Sequence, residues 1–348
     1  MVWMVYGANG YTGRMVVAEA VKRGLRPVLA GRNSAELQAI AAPHDLPVRV
    51  FGLDEAGSVR AALDGMKLVL HCAGPFSATA APMLEGCLAA GAHYLDITGE
   101  IDVFAHCHAQ EARARDAGIV VLPGSGFDVV PTDCMAAMLK RDLPTATSLV
   151  LAFEAGGGPS PGTAKTSVEG LGRGGRARVG GVLTRVPLAW KTRHFERADG
   201  ESRHAMTIPW GDVFTAYVST GIPDIEVYMG VPPATAAKLR RLRVLGPLLG
   251  WGPVQAWLKG QVAKKVRGPS EATRTRTGCT IWGEARDASG TEAKRRMETP
   301  NGYDLTVTAS LGIVERLLRG EAPAPGFRTP SGLMGADYVL SLPGVRLA

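Results

Sequence analysis

The chain has 348 residues, 46% of them hydrophobic and 20% charged, with a net charge of +7 and an isoelectric point near 9.3. That composition excludes global disorder and, at roughly 150 residues per domain, allows two domains. The basic residues are scattered and form no helix-turn-helix, zinc-finger or RNP pattern, so the charge favours an anionic small molecule such as a nucleotide or acyl-CoA and excludes nucleic acid as the expected partner.

Residues 2–6, VWMVY, make a short apolar run bounded by glycine, which is how a buried parallel strand reads. Residues 11–23 place Val16, Val17, Ala20 and Val21 at helical spacing and stop at Gly24. Gly7, Gly10 and Gly13 therefore fall where a strand turns into a helix. Glycine there permits the tight turn, lets backbone N–H groups approach a pyrophosphate and lets helix and strand pack closely. The spacing is G-x-x-G-x-x-G rather than G-x-G-x-x-G, and Gly7, Asn9, Gly10, Tyr11, Thr12 and Gly13 become candidate dinucleotide contacts.

A second strand, PVLAGR (27–32), precedes a helix after Asn33 and Ser34. NAD-binding chains usually carry an acid at the end of this strand for the ribose 2′-hydroxyl. Here Arg32 occupies that place, with Asn33 beside it, and a guanidinium there suits a 2′-phosphate, so the expected cofactor is NADP. Strands at 48–51, 67–72, 93–97 and 119–124 follow, with helices near 55–63, 79–90 and 101–116 between them. Strands alternating with helices predict a doubly wound α/β sheet whose ligand lies at the carboxyl ends of the strands.

Three acids fall near that edge. Asp96 and Glu100 end the fifth strand, and Asp128 precedes the next helix. Each could orient substrate or ribose or donate a proton, and each could equally cap a helix or fix a loop. Asp133, in the first helical turn after Pro131, reads as structural. His106, Cys107 and His108 are adjacent on a predicted helix and point about 100° apart, so no metal site is expected. Five cysteines without a C-x-x-C pair suggest a reducing, cytoplasmic setting, and no apolar run reaches the roughly 18 residues of a spanning helix.

Beyond about residue 145 the texture changes. A strand at 148–155 leads through a glycine–proline loop to a helix starting near Thr163. The stretch 170–181 dissolves into glycine and arginine, either a lid whose Arg173, Arg176 and Arg178 meet an anionic ligand or a solvated loop. Residues 212–220 and 225–229 read as strands, 273–299 as a hairpin turned at DASG, and 303–320 as ending in an amphipathic helix. Residues 236–266 combine Leu, Val, Trp251 and Trp257 with seven flanking Lys and Arg residues, broken by glycine and proline. Such a stretch is either ordinary helix packing, a hydrophobic entry for a lipid-like or polyketide-like substrate, or a weak membrane-surface contact.

Taken in order, GANGYTGR, LAGRN, HCAGPF (71–76), YLDITGE (94–100) and GSGFDVVPTD (124–133) resemble the saccharopine dehydrogenase-like oxidoreductases. SPGTAKTSVEG (160–170), PWGDVFTAYVSTGIPDIEVYM (209–229) and GFRTPSGLMGADYVL (326–340) resemble the bacterial branch that includes trans-acting enoyl reductases. The resemblance implies a Rossmann-type NADP-binding domain over 1–124 and a second α+β domain on a mixed or antiparallel sheet over 125–324. It also implies a segment 325–348 that returns to the first domain, and a homodimer. It places Cys72, Ala73, Gly74, Pro75 and Phe76 on the nicotinamide side of the cofactor. The expected activity is hydride transfer to an activated C=C or C=N bond of a hydrophobic substrate, with Asp96, Glu100 and Asp128 as catalytic candidates. An opine-type dehydrogenase acting on an amino-acid imine and a non-catalytic NADPH sensor are the alternatives. Saccharopine itself is not implied.

Overall fold

The computed structural model describes residues 2–197, 199–321 and 324–348. In the first 130 residues strands and helices alternate: β1 (Trp3–Tyr6), α1 (Tyr11–Lys22), β2 (Val28–Gly31), α2 (Ser34–Ala41), β3 (Val48–Val50), α3 (Ala56–Ala62), β4 (Leu68–His71), α4 (Phe76–Ala90), β5 (His93–Asp96), α5 (Ile101–Ala109), α6 (Glu111–Asp116) and β6 (Val120–Leu122). Every residue of β1, β2, β4 and β6 is buried, as expected of short apolar strands covered on both faces.

The remainder of the chain runs α7 (Val130–Asp142), β7 (Ser148–Ala155), α8 (Pro161–Arg173), β8 (Gly175–Val179), β9 (Val182–Val186), β10 (Thr192–Glu196), β11 (Ser202–Thr207), α9 (Asp212–Thr220), β12 (Asp224–Gly230), α10 (Pro233–Leu242), α11 (Gly246–Leu249), α12 (Gly252–Lys265), α13 (Glu271–Arg276), β13 (Cys279–Arg286), β14 (Glu292–Thr299), α14 (Gly302–Leu318), β15 (Gly326–Phe327), α15 (Pro330–Met334) and β16 (Arg346–Leu347). The whole chain divides into two compact units, residues 1–130 with 303–334 and residues 131–302 with 335–348.

The first unit is a seven-stranded parallel sheet in the order β15-β6-β5-β4-β1-β2-β3. The strand order reverses at the β4–β1 pair, where Tyr6 stands opposite His71. Loops leaving those two strand ends are neighbours, which is where doubly wound sheets bind ligands.

The division differs from the boundaries expected at 124 and 325. Helix α14 buries Leu305, Val307, Leu311, Ile313 and Val314 and its Thr306 hydroxyl accepts the Phe127 N–H at 2.9 Å, which ties it to the first unit. The strand β15 also belongs there, but β16 pairs with β14, so the last residues do not return to the first sheet.

The second unit is a mixed sheet in the order β10-β11-β12-β7-β13-β14-β16, with β7 and β12 parallel and the other pairs antiparallel. One face packs on α7, so tightly that a Cβ on Gly283 would lie 2.6 Å from the Leu139 side chain. The other holds a cluster of Ala152, Phe195, Ala205, Tyr228 and Trp282.

Three expectations for this unit are corrected. The hairpin expected over 273–299 is confined to β13 and β14, because residues 271–276 form α13, capped by the Ser270 side chain. Residues 212–220 form α9 rather than a strand: Asp212, Val213, Thr215, Ala216 and Thr220 are buried at helical spacing, and Gly221, at φ +68°, closes the helix. The stretch 170–181 is not an open lid. It finishes α8 and enters the β8–β9 hairpin, where Arg178 is buried over the Tyr217 ring at 4.0 Å and donates to the Val213 and Gly181 carbonyls.

A candidate dinucleotide site in the first unit

Gly7 sits at φ +82°, a backbone state open to glycine, and its amide donates to the Ala30 carbonyl at the end of β2. The turn that follows is compressed. A Cβ on Gly13 would lie 2.1 Å from the Gly7 carbonyl oxygen, and one on Gly7 would lie 2.8 Å from the Ala73 Cβ. Only hydrogen atoms fit at both positions. Gly10 is the N-cap of α1, no side chain caps the helix, and its first turn holds no acid. The first-turn N–H groups of an α-helix have no intrahelical acceptor, so this end presents donors and the positive end of the dipole. The cradle fits a pyrophosphate.

Arg32 follows β2 directly, is exposed, and makes no hydrogen bond or ion pair among the described residues. The neighbouring acid, Glu36, is already held by Arg14 at 3.0 Å, Asn9 at 3.2 Å and Asn33 at 2.7 Å. Its charge is therefore compensated, and Arg32 remains as the cation facing outward. Asn33 caps α2, accepting the Glu36 N–H at 3.2 Å, and Asn9 reaches the Glu36 carboxylate. These two side chains thus build the loop around Arg32. Tyr11 packs edge-on against Tyr303 of α14 at 5.0 Å, and Thr12 is half-buried in the first turn of α1.

The turn Cys72–Phe76 leaves β4 beside this loop, with the Cys72 amide donating to the Tyr6 carbonyl at 2.8 Å. The Gly74–Pro75 peptide is cis. Burial first, and then the nearby Asp96 charge, push the Cys72 thiol up to about 12, so it is not a thiolate nucleophile.

Two groups hold the turn from beneath. The Thr79 hydroxyl lies 2.7 Å from the Ala73 carbonyl and 3.1 Å from that of Pro75. The buried His71 ring sets its Nε2 3.0 Å from the same hydroxyl, and burial drives its pKa down to about 3, which keeps it neutral at any working pH. The ring lies among Tyr6, Phe76 and Tyr94. Sequence reasoning passed over His71; its place immediately before Cys72, closing an otherwise apolar strand, was the available signal.

The structure gives the three acids different surroundings. Asp96 is fully buried. Its carboxylate accepts the Tyr94 hydroxyl at 2.6 Å, the Gly124 N–H at 2.8 Å and the Thr98 N–H at 3.0 Å, which joins the ends of β5 and β6. Burial outweighs those bonds and raises its pKa to about 6. Glu100 reaches back to α4 and accepts the Phe76 and Ser77 N–H groups at 3.0 and 2.9 Å, which fixes the first turn of that helix. Asp128 is half-buried, lies against Gly99, and its carboxyl has no hydrogen-bond partner among the described residues. Burial alone raises its pKa to about 7.

A consequence follows for stability. Asp96→Ala leaves two buried N–H groups and a buried hydroxyl without an acceptor, at about 1–3 kcal/mol each, offset in part by removing a buried carboxyl. A marked fall in melting temperature is the expected outcome in thermal denaturation, and Asp96→Asn, which keeps one acceptor oxygen, should fall less.

Comparison with known proteins agrees with this geometry. The family of saccharopine dehydrogenase NADP-binding domains matches residues 3–122. A saccharopine dehydrogenase-like oxidoreductase of Arabidopsis thaliana is 33% identical over 147 residues, covering 37% of this chain and 32% of that protein. The trans-acting enoyl reductase of Mycobacterium leprae is 28% identical over 148 residues, covering 40% of this chain and 35% of its own length. The matched part is thus about a third of the length of each of these relatives. A solved saccharopine dehydrogenase (L-Glu forming) from Saccharomyces cerevisiae superposes with a TM-score of 0.66 over 99% of both chains at 11% identity, a likeness of fold. Residues 3–122, which carry β1 to β6 of the parallel sheet, thus match an NADP-binding domain of the saccharopine dehydrogenase type.

Proposed function

We propose that the chain is an NADP(H)-dependent reductase of an activated double bond, a C=C conjugated to a carbonyl or a C=N, in an apolar small molecule. The observation that carries the proposal is the Asp128 carboxyl, unpartnered and neutral up to about pH 7, in the segment that follows β6 at the carboxyl edge of the sheet. Reduction of such a bond needs a hydride and a proton. NADPH supplies the hydride when bound.

The chain's own groups supply the rest. The amides between Gly7 and Gly13 hold the pyrophosphate, and Arg32 pairs with the 2′-phosphate. His71, Thr79 and Glu100 fix the Cys72–Phe76 turn beside that loop. Asp128 carries the proton, and Asp96 and Glu100 act as positioning residues. The similarity to a trans-acting enoyl reductase supports trying the conjugated C=C first among the substrates.

The test is NADPH oxidation over a panel of enoyl thioesters, enones and cyclic imines. Turnover of at least one class is expected; tight NADPH binding with no turnover in any class would instead mark a cofactor-binding sensor. In the same assay Arg32→Ala should weaken NADPH about 10- to 100-fold and leave NADH nearly unchanged, as one charged hydrogen bond of about 1.5–3 kcal/mol is lost. Equal losses for both cofactors would remove Arg32 from the site.

A further inference from the structure

Between Glu226 and Glu271 the sequence holds no Asp or Glu and eight Lys or Arg residues: Lys238, Arg240, Arg241, Arg243, Lys259, Lys264, Lys265 and Arg267. The whole chain's net charge is only +7, so this one segment accounts for its basicity. The same segment concentrates exposed apolar side chains. Val244 is 83% exposed, Trp257 63%, Trp251 59% and Leu248 51%, with Leu245 also open to solvent. The other large apolar residues exposed among the described ones are Val2, Val50, Val179, Val182, Tyr217, Val218 and Leu347.

The helices that carry this surface are fastened on their other side. In α12, Gln255 donates to the Val168 carbonyl of α8 at 3.0 Å and Lys259 pairs with Glu169 at 2.6 Å. Where α8 meets the α11–α12 junction the backbones touch, and a Cβ on Gly172 would lie 2.4 Å from the Gly250 Cα. Arg240 and Arg243 donate to the carbonyls of Ala189 and Leu188. With its inner face so engaged, α12 turns Pro253, Ala256, Trp257, Gly260 and Lys264 outward along one stripe. Lys238, Arg241, Lys264, Lys265 and Arg267 are exposed and make no ion pair among the described residues.

We propose that the outer face of α10–α12 is a docking surface for an anionic lipid bilayer, with Trp251, Trp257, Val244 and Leu248 entering the headgroup region and the lysines and arginines lying over the lipid phosphates. Charge complementarity names the occupant. A segment that combines exposed apolar side chains, two of them tryptophans, with unpaired cations has the composition of an interfacial segment, whereas the cores of protein–protein interfaces are depleted in lysine. The segment lies on the surface and does not cross it. At 14 residues α12 is shorter than a hydrocarbon core of about 30 Å, and no helix among the described residues is long and apolar enough to span one.

The experiment uses the full chain in flotation with vesicles of phosphatidylcholine alone and of phosphatidylcholine mixed with phosphatidylglycerol. The expected result is co-flotation with the anionic vesicles at low salt, at least about tenfold weaker in molar salt as the Debye length falls to about 3 Å, and little with the neutral ones. Brominated lipids should quench tryptophan fluorescence in the wild type. The double variant Trp251→Ser/Trp257→Ser should lose that quenching and most of the binding, with NADPH binding unchanged as evidence of folding. No co-flotation at low salt overturns the proposal, as does equal flotation of the double variant. So does a dimer, seen by light scattering, that the double variant dissociates, because a second copy then covers the face. None of these readouts depends on the substrate, so failure here leaves the proposed reductase activity standing.

Discussion

Gly13→Ala is expected to abolish NADP(H) binding, with an affinity loss above 100-fold. The new Cβ would sit 2.1 Å from the Gly7 carbonyl oxygen and 2.9 Å from the Ala8 Cα, and both are backbone atoms that cannot rotate away. Relief requires the β1–α1 turn to open by more than an ångström, which spreads the amides that face the pyrophosphate. Core overpacking alone costs about 1–3 kcal/mol, and a hundredfold loss of affinity corresponds to about 2.7 kcal/mol, so a stability deficit and a binding deficit should appear together. Gly10→Ala is the control. Its Cβ would meet only the Gly7 oxygen, at 3.2 Å, and should change affinity by less than about tenfold. Fluorescence titration with NADPH, run beside thermal melts of each variant, separates the two effects. Unimpaired binding by a folded Gly13→Ala protein would mean the cofactor lies elsewhere.

Asp128→Asn is expected to lower kcat by about 10²- to 10⁴-fold, the usual contribution of a positioned acid, with little change in NADPH affinity. The wild-type rate should fall as pH rises through about 7, because the protonated carboxyl is the active form, and the variant should lose that limb. Stability carries a second signature. The folded pKa lies above the ordinary 3.8, so the folded chain binds the proton more tightly than the unfolded one. The stabilisation is complete below pH 3.8 and is lost as pH rises through about 7. Asp128→Asn, which never ionises, should therefore gain in melting temperature relative to wild type between pH 5 and 8. A parallel pair of melting curves across that range would show that the carboxyl is not held neutral by the fold.

Much of the first unit is legible from sequence because its signals are local. Short apolar runs ending in glycine loops, repeated six times, leave little besides a parallel sheet, and Arg32 is found by counting from Gly13. The partners of the acids are not local. Glu100 caps a helix that begins 24 residues earlier, and the acceptors on Asp96 serve Gly124 as well as Thr98, so no window along the chain separates them from Asp128. In the second unit one misread segment is 212–220, where Val, Phe, Thr and Tyr favour a strand by propensity. Burial of one helical stripe and the left-handed Gly221 decide otherwise. The β8–β9 hairpin was hidden for a related reason. Glycines and arginines describe an open loop until Arg178 finds an aromatic ring and two carbonyls more than thirty positions apart.

The near-contact of Gly7 with Ala73 has a practical corollary for anyone re-engineering redox preference on this scaffold. The tract around Arg32 is exposed, but Glu36 ties it to Asn9 and Arg14, so an exchange meant to retune which adenosine is taken must carry those two residues with it. The two glycine-bearing bends interlock like cogs, and neither can be transplanted from another enzyme unless its mate travels with it.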